Sequence, residues 1–408
     1  MAIEITQNNE ILKKLEQLEI ERKFIALDST VFDQYRPSAS RITQLYLSRP
    51  DDEYSLRLRQ SVAPDGETLF IATLKDRGIV TPEGLQRVEI ETPVSEAAFT
   101  HYSQGDYPRL YKERAELCSG VTIDWIDGSD TPIIEVENAD LHQSASQFLS
   151  LFSRDLLERT GHSDVDNESL AYAIYEGSLE RPPEVSVEQI IEDMLAYRSI
   201  GTQQLVVGIG GRSGSGKSTL ARELQAAIAA HPELGEPAGL VSTDDYHVGK
   251  NYLETTYGAP WTNWEDARVY DTALLARDIA RWREGQPIVQ RYFDFTTEEP
   301  VFGDPLPDSN VLIVEGIHAS SRHLADQRQM FYEVATPLSV SLGRDLKRLL
   351  ATDRSQAAMK SPEERLRYIL EIGEPTYQTI DYAPRNSFSG CVRPMGQQAL
   401  AGSISRAV

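Results

Sequence analysis

Cysteine is scarce in this chain of 408 residues, and long apolar runs are missing. Two cysteines, Cys118 and Cys391, are too few for a disulfide-stabilised scaffold. No stretch approaches the roughly 18 consecutive apolar residues that a membrane-spanning helix needs. The first residues, MAIEITQNNEILKKLEQ, lack the apolar segment of a secretory signal. We therefore expect a cytoplasmic protein with no membrane partner.

Basic residues are in deficit. The chain has 40 Lys and Arg residues against 63 Asp and Glu residues, which gives a formal net charge of −23. A field of this sign repels nucleic acid, so we expect no nucleic-acid partner. A polyanionic substrate therefore needs a local cluster of basic side chains. The length favours two or three domains.

Short alternating segments dominate the first part of the chain. They lie near 18–27, 41–49, 53–61, 68–77, 86–92, 109–117, 121–127 and 132–138, and turn residues separate them. Many short strands of this kind predict an eight-stranded antiparallel barrel that is closed or nearly closed. A helical pattern, SASQFLSLFSRDLLERTG, follows, and the Pro-rich GSLERPPEV (177–185) indicates a linker before a second short helix, VSVEQIIEDMLAYRS.

From Gln204 onward, apolar strands alternate with helical patterns. LVVGIG, GLVST and VLIVEG are the strands, and this order is typical of a doubly wound parallel sheet. The predicted fold is therefore an α+β barrel domain followed by an α/β domain. We place the barrel domain at 1–176, a linker with a short helix at 177–203, the α/β domain at 204–382 and an irregular tail at 383–408.

A phosphate-binding loop follows the first strand of the α/β domain. The segment GRSGSGKS matches GxxxxGK[ST] between an apolar strand and a helix, which is the context the motif requires. Main-chain N–H groups of such a loop bind phosphate oxygens, the lysine reaches the β/γ-phosphates, and the serine hydroxyl binds Mg²⁺. The predicted ATP-binding residues are Gly211, Arg212, Ser213, Gly214, Ser215, Gly216, Lys217, Ser218 and Thr219.

Carboxylates end two further strands of this domain. VLIVE places Glu315 at a strand end, where it would position a metal ion or its water. STDDY places Asp244 and Asp245 after another strand, where α/β sheets bind ligands. An aspartate there could take the proton of a substrate hydroxyl, and the alternative is that each aspartate only caps a helix.

Residues 204–382 resemble the uridine kinase and phosphoribulokinase group of P-loop kinases. The resemblance rests on GIGGRSGSGKST, STDDYH, NWEDARVYD, YFDF and VLIVEGIHA. It implies ATP as phosphoryl donor, Asp244 as catalytic base beside Lys217, Glu315 as metal-site carboxylate, and lid arginines at Arg344, Arg348 and Arg354. Uridine kinases carry a His and an Arg after the YDF-type strand, and Phe293 to Pro300 contains neither. The resemblance therefore implies a kinase with an altered acceptor pocket.

Charged side chains alternate with apolar ones along the barrel strands. On a single strand such a face usually points to solvent, which is the alternative here. Agreement among many strands instead predicts that the charged face lines the barrel interior. A triphosphate with divalent cations would compensate both signs of charge. The charged residues of this face are Glu19, Glu21, Lys23, Arg57, Arg59, Lys75, Arg87, Glu89, Glu91, Lys112, Arg114, Asp124, Glu135 and Glu137.

This succession resembles the CYTH superfamily of triphosphate tunnel enzymes over residues 18–176. Its ExExK signature is formed by Glu19, Glu21 and Lys23. The resemblance implies triphosphate binding by Lys23, Arg57, Arg59, Lys75, Arg87, Lys112 and Arg114. It also implies Mg²⁺ or Mn²⁺ binding by Glu19, Glu21, Asp124, Glu135 and Glu137, with Glu21 catalytic because the bound metal orients an attacking water. Cyclisation of ATP needs the same residue types, so an adenylate cyclase is an alternative.

The leading hypothesis is a two-site phosphotransfer protein. It combines an ATP-dependent kinase of the uridine kinase type with a metal-dependent triphosphatase or pyrophosphatase. One alternative is a regulatory protein that senses nucleotide or polyphosphate and has only one active module. Another is an ATPase switch without a small-molecule acceptor. The sequence does not identify the acceptor, the preferred triphosphate, the domain orientation or the oligomeric state, a homo-oligomer included.

Overall fold

The computed structural model describes most of the chain as two compact units. The described residues are 18–28, 30–129, 131–137, 143–152, 155–175, 177, 186–199, 204–234, 237–294, 296–306, 308–351, 361–380, 390–393 and 403–405. The first unit consists of Met1–Leu179, Leu338–Asp353 and Ser361–Glu371. The second consists of Glu180–Pro337, Arg354–Lys360 and Ile372–Val408. The predicted linker at 177–185 lies, apart from Gly177, outside the described residues.

The strands and helices are numbered in chain order. The strands are β1 (Leu18–Ala26), β2 (Ser40–Tyr46), β3 (Tyr54–Val62), β4 (Thr68–Asp76), β5 (Ile79–Thr81), β6 (Gly84–Pro93), β7 (Arg109–Cys118), β8 (Val121–Ile126), β9 (Ile133–Glu137), β10 (Leu156–Glu158), β11 (Leu205–Gly210), β12 (Gly239–Ser242), β13 (Val289–Asp294), β14 (Glu299–Pro305), β15 (Val311–Glu315), β16 (Met330–Val334), β17 (Gly390–Arg393) and β18 (Ser403–Ser405). The α-helices are α1 (Glu96–Ser103), α2 (Gln143–Phe152), α3 (Asn167–Ala173), α4 (Val187–Ser199), α5 (Lys217–Ala230), α6 (Lys250–Tyr257), α7 (Thr272–Arg283), α8 (Arg322–Ala325), α9 (Leu338–Ala351), α10 (Pro362–Tyr368) and α11 (Glu374–Gln378). Short 3-10 helices span Thr30–Ser38, Thr243–Tyr246, Ala267–Val269 and Ile317–Ser320, and a π-helix spans Ile369–Gly373.

Eight strands of the first unit close into an antiparallel barrel among the described residues. Their order is β1-β9-β8-β7-β2-β3-β4-β6, and β6 pairs back with β1 from Leu18↔Val88 to Glu21↔Leu85. The predicted antiparallel barrel is therefore confirmed. The short strands β5 and β10 extend the sheet beyond the closed ring.

Alternation along β3 separates an inner face from an outer face. Ser55, Arg57 and Arg59 line the interior, whereas Leu56 and Leu58 are fully buried on the opposite face. Helix α9 packs on β3 and β4, and α10 packs on β4 and β6. These helices remove the outer apolar face from water, so charge is left for the interior.

The helix predicted after the barrel is shorter than its sequence pattern suggests. Helix α2 ends at Phe152, and Leu156–Glu158 forms β10 instead of a further helical turn. β10 pairs with β1 through Phe24↔Glu158, Ile25↔Leu157 and Ala26↔Leu156. Main-chain groups of β1 thereby gain hydrogen-bond partners. This gain outweighs the helical preference of the segment Leu156–Glu158. The second predicted helix is present as α4.

A parallel sheet organises the second unit. Its order is β12-β15-β11-β16-β17-β18; β12, β15, β11 and β16 run parallel, as does β17, while β18 is antiparallel to β17. On one face, Val207 and Ile313 pack with α4 and α5; on the other, Val206 and Leu312 pack with α7. Burial on both faces explains why these strands are almost wholly apolar. The predicted α/β domain with a doubly wound parallel sheet is confirmed.

The stretch 383–408, expected to be irregular, contains β17 and β18. β17 pairs with β16 through Tyr332↔Gly390, Glu333↔Cys391 and Val334↔Val392, which satisfies main-chain groups along the outer edge of β16. The other residues of this stretch lie outside those that the structure describes. None of the helices described here is both long enough and apolar enough to cross a membrane.

The buried outer face of β3 gives a test of the barrel packing. Leu58 is fully buried, whereas Leu69 on the neighbouring strand β4 is 54% exposed. Leu58→Ala should lower the free energy of unfolding by about 2–5 kcal/mol because it leaves a cavity. Leu69→Ala, the matched control, should change it by less than about 0.5 kcal/mol. Equal effects of the two substitutions in chemical denaturation would contradict the assignment of these faces.

Candidate active sites

The barrel encloses a polar cavity of about 240 Å³. Its lining is almost entirely charged or hydroxylated, because alternate residues of each strand point inward. The lining residues are Glu21, Lys23, Tyr46, Ser55, Arg57, Arg59, Thr73, Lys75, Arg87, Glu89, Glu91, Arg114, Thr122, Glu135, Glu137, Asp166, Asn167 and Glu168. The charged face that the sequence predicts is therefore internal, and not exposed to solvent.

Cross-strand register places several basic side chains of the cavity opposite an acid. Glu19 faces Arg87 across β1 and β6, and the Arg87 guanidinium donates to Glu19 at 2.9 Å and to Glu21 at 2.6 Å. Lys75 faces Glu89 across β4 and β6, and its ammonium lies 2.8 Å from Glu89 and 3.0 Å from Glu19. Opposite charges thus offset much of the desolvation penalty without a ligand.

Three carboxylates meet at one place on the barrel wall. Glu21 and Glu137 are direct partners across β1 and β9, and ligand oxygens of Glu19, Glu21 and Glu137 all lie within 4.8 Å of one another. Burial, with the neighbouring carboxylates of Glu19, Glu135 and Glu21, raises the pKa of Glu137 to about 7. An all-oxygen cluster in which Glu137 faces other carboxylates fits a hard divalent cation such as Mg²⁺ or Mn²⁺.

The other two predicted metal ligands are held by basic side chains. Asp124 lies opposite Arg114 across β7 and β8, accepts two hydrogen bonds from it at 2.6 Å, and accepts one from Lys112 at 2.5 Å. Lys112 and Asp124 have fully buried side chains and do not line the cavity. Burial, with the nearby charge of Arg114, lowers the pKa of Lys112 to about 8. Glu135 lines the cavity and bonds to Lys23 at 2.9 Å.

Helix α3 contributes cavity residues that the sequence reasoning missed. Asn167 donates to Glu135 at 3.2 Å, and Lys23 donates to the main-chain oxygen of Val165 at 3.3 Å, just before the helix. Asp166 caps the helix by accepting the N–H of Ser169. An Asp before a helical pattern is a cap signal, but nothing local to 166–168 indicates that these residues reach the barrel interior.

In the second unit, the P-loop connects β11 to α5 with glycines in left-handed conformations. Gly214 has φ 74° and Gly216 has φ 99°, which residues with a side chain rarely adopt. A Cβ atom at Gly211 would lie 2.8 Å from Ser215 Oγ and 2.9 Å from the Val334 carbonyl oxygen. Lys217 Nζ donates to the main-chain oxygen of Arg212 at 3.3 Å. The motif thus has the strand–loop–helix context that phosphate binding requires.

Ser218 and Glu315 adjoin each other beside this loop. Ser218 Oγ donates to Glu315 Oε1 at 3.1 Å, while Glu315 Oε2 is buried and has no hydrogen-bond partner among the described residues. Burial raises the pKa of Glu315, and Lys217 opposes that rise. An unpartnered carboxylate oxygen beside a serine hydroxyl fits a divalent cation bound with ATP.

The two aspartates after β12 have different surroundings. Asp245 Oδ2 accepts the N–H of Ser242 at 3.0 Å and completes a capping box for the 3-10 helix. Burial, with Asp244 and Glu315, raises the pKa of Asp245 to about 7. The carboxylate of Asp244 accepts no hydrogen bond from the residues that the structure describes. Asp245 therefore fits the capping alternative, and Asp244 is the aspartate available to a substrate.

Aromatic residues surround His247, which follows Asp244 by three positions. The ring of His247 stacks on Trp264 with centroids 6.1 Å apart and contacts Tyr270 at 4.6 Å and Phe293 at 4.2 Å. Both ring nitrogens are buried without a hydrogen-bond partner in the described residues. Burial lowers the pKa of His247 to about 4, so the ring is neutral at physiological pH.

The predicted lid arginines lie on α9 in the first unit. Arg348 donates to Asp345 at 2.5 Å, and Arg365 of α10 donates to the same carboxylate at 2.6 Å. Arg344 is partly buried on the same helix. Arg354 lies outside the described residues. Contacts of Arg344 and Arg348 with ATP stay a prediction.

Removing the charge of Asp124 and removing the charge of Glu137 should change the free energy of unfolding in opposite directions. Asp124→Asn should lower the free energy of unfolding by about 3–5 kcal/mol, because it removes the ion-pair partner of fully buried Lys112 and leaves Arg114 with Glu135 alone. Glu137→Gln should increase the free energy of unfolding in metal-free buffer at pH 8. The pKa of Glu137 is higher in the folded state than in the unfolded state, so the ionised carboxylate destabilises the fold. That gain should shrink as the pH falls from 7 towards the ordinary glutamate value of 4.5. Destabilisation by Glu137→Gln at pH 8 would contradict the carboxylate cluster.

Comparisons with known proteins cover both units. The family model described as "Phosphoribulokinase / Uridine kinase family" matches residues 206–352. The uridine kinase of Cronobacter sakazakii is 30% identical over 203 residues, which are 48% of this chain and 88% of that protein. Uridine-cytidine kinase C of Dictyostelium discoideum is 28% identical over 181 residues, and the match spans 43% of this chain but only 36% of that longer protein.

One solved structure matches the N-terminal region. The crystal structure of the inorganic triphosphatase NE1496 is 27% identical, covers 38% of this chain and 95% of its own, and has a TM-score of 0.25. For the second unit, the family model and the relative of 30% identity agree with the strand–loop–helix geometry around Lys217. The chain belongs to the phosphoribulokinase/uridine kinase family.

Proposed function

We propose that this chain is a two-site phosphotransfer enzyme. The second unit transfers the γ-phosphoryl group of ATP to a hydroxyl group of a small molecule. The barrel, which we assign to the CYTH superfamily, hydrolyses a triphosphate with a divalent metal. The observation that carries the proposal is that an anionic protein gathers basic side chains into an enclosed cavity and separately forms a P-loop.

The kinase step uses groups that the second unit brings together. Main-chain N–H groups of the P-loop and the Lys217 ammonium bind the phosphates. Asp244 takes the proton from the acceptor hydroxyl as its oxygen attacks the γ-phosphorus. The bond between the γ-phosphorus and the β–γ bridging oxygen breaks, and ADP leaves. Ser218 and Glu315 would hold Mg²⁺, which when bound neutralises charge on the phosphate oxygens.

The surroundings of Asp244 favour an uncharged acceptor. His247 is neutral and lies among Trp264, Tyr270 and Phe293. Two cations of this region already have acidic partners: Lys250 lies 2.5 Å from Glu298, and Arg291 lies 3.6 Å from Asp278. The His and Arg that uridine kinases carry after β13 are replaced here by threonine and glutamate. We therefore propose a small hydroxyl compound that is recognised differently from uridine.

In the barrel, the proposed substrate is a triphosphate chain without a nucleoside. The cavity of about 240 Å³ lies below the roughly 300–1,000 Å³ typical of sites for drug-sized ligands, and Tyr46 is the aromatic residue of its lining. Lys23, Lys75 and Arg87 would exchange their carboxylate partners for phosphate oxygens. This favours inorganic triphosphate over ATP.

Hydrolysis at the barrel needs a water on one side of the terminal phosphorus. Glu19, Glu21 and Glu137 would hold the divalent cation, which when bound lowers the pKa of water and neutralises developing charge. The water oxygen forms a bond to the terminal phosphorus and loses a proton to the solvent, and the bond from that phosphorus to its bridging oxygen breaks. Orthophosphate and diphosphate leave, and Lys23 with the arginines stabilises the charge on the departing oxygen.

Separate substitutions test whether two sites act. Lys217→Ala should abolish ATP-dependent phosphorylation and leave hydrolysis of inorganic triphosphate. Glu21→Gln should abolish hydrolysis and leave phosphorylation. Product identity and phosphate release with Mg²⁺ and Mn²⁺, over a panel of nucleosides, sugars and triphosphates, measure both reactions. Glu223→Gln, an exposed change on α5, is the control. Loss of both activities in either variant would contradict independent sites.

Asp244 and Asp245 provide a matched pair for the catalytic base. Asp244→Asn should lower kcat by about 10²–10⁴-fold, the range for loss of a general base. Asp245→Asn should keep most of the activity, because an asparagine oxygen can still accept the Ser242 N–H. Steady-state kinetics at saturating ATP show which of the two aspartates acts as the general base. A greater loss in Asp245→Asn would exclude Asp244 as the base.

A further inference from the structure

The side chain of the second P-loop residue, Arg212, points into the protein and not into the phosphate cradle. Its Nε and Nη2 donate to the two carboxylate oxygens of Glu374 at 3.1 and 2.9 Å, and its Nη1 donates to the main-chain oxygen of Thr336 at 2.9 Å. The guanidinium also lies over the ring of Tyr377, 5.4 Å from the centroid. Glu374 is 4% exposed and the Arg212 side chain is half-buried, so the carboxylate of this bidentate pair is shielded from water.

The main chain of the same residue belongs to the phosphate-binding loop. The Arg212 carbonyl oxygen accepts Lys217 Nζ at 3.3 Å and the N–H of Ser215 at 3.2 Å. Thr336 binds the loop a second time, because its hydroxyl donates to the Ser215 carbonyl oxygen at 2.8 Å. Glu374 thus holds the loop at Arg212, and Thr336 holds it at Arg212 and at Ser215, before Lys217.

Glu374 is the first residue of α11 and follows the π-helix Ile369–Gly373. The Tyr377 hydroxyl anchors α11 by donating to Glu333 at 2.9 Å. Because the Tyr377 ring also lies against the Arg212 guanidinium, α11 presents a carboxylate and an aromatic ring to the same side chain.

We propose that Glu374 is a positioning residue of the phosphate site, which acts through the Arg212 guanidinium to hold the P-loop in its phosphate-binding conformation. The inference rests on the proposed ATP site of the second unit. A preorganised loop binds phosphates without an ordering penalty, whereas a released loop must be ordered by the ligand. The GxxxxGK[ST] pattern leaves the residue type at position 212 open, so the motif itself does not require the contact between Arg212 and Glu374.

The test is ATP affinity in variants that keep the fold. Glu374→Gln retains the shape of the side chain and removes its charge, and it should raise the dissociation constant of Mg-ATP by about tenfold, as expected for loss of a charge-assisted hydrogen bond. Because Glu374 touches no reacting atom, KM for ATP should rise while kcat changes little. The dissociation constant of Mg-ATP for Glu374→Asp should lie between that of Glu374→Gln and that of the parent protein. Glu223→Gln should match the parent in titration calorimetry.

A double-substitution cycle shows whether Glu374 acts through Arg212. Arg212→Gln should weaken ATP binding about as much as Glu374→Gln, and the two changes together should add nothing. Unchanged ATP affinity in folded Glu374→Gln, or additive effects, would overturn the inference. Thermal unfolding verifies folding, and Glu374→Asp, which keeps the charge, carries the test if Glu374→Gln does not fold. A parent protein that binds no ATP would refute the ATP site itself.

Discussion

Compensation of buried charge is the constraint on which the barrel depends. Removing an ion from water costs several kcal/mol even after a protein relaxes, so a cavity lined with both signs survives only if each charge has a partner. Register supplies those partners: Glu19 faces Arg87, and Lys23 faces Glu135. The outer apolar faces, buried under helices, leave the interior as the place for these side chains. The triphosphate and metal that we propose for the barrel would exchange partners with these side chains.

The two units handle phosphate by different physical means. In the second unit, glycines such as Gly214 and Gly216 adopt positive φ, and main-chain groups with one lysine form the cradle. In the barrel, the proposed phosphate ligands are side chains on strands, and ion pairs with acidic side chains hold them in place. A net charge of −23 makes both solutions local, because the field of the whole protein repels the phosphates that each site attracts.

Much of the fold follows from local pattern. Period-2 alternation predicts the barrel strands, and the P-loop motif places β11 and α5, because both depend on residues close in sequence. Local pattern failed at Leu156–Glu158, where the open edge of β1 recruits a strand from a helical sequence. It also missed Asn167 and its neighbours, since only the return of the chain to the barrel brings them to the cavity.

The sequence by itself determined which residue types alternate, and therefore that acids and bases share one face of the barrel and that a phosphate loop precedes α5. Only the tertiary structure decided which charges meet. Pairing of β1 with β9 sets Glu21 against Glu137 and forms a carboxylate cluster, whereas pairing of β7 with β8 sets Asp124 against Arg114 and neutralises it. The physical reason is that strand register is a long-range property, fixed by closure of the whole barrel.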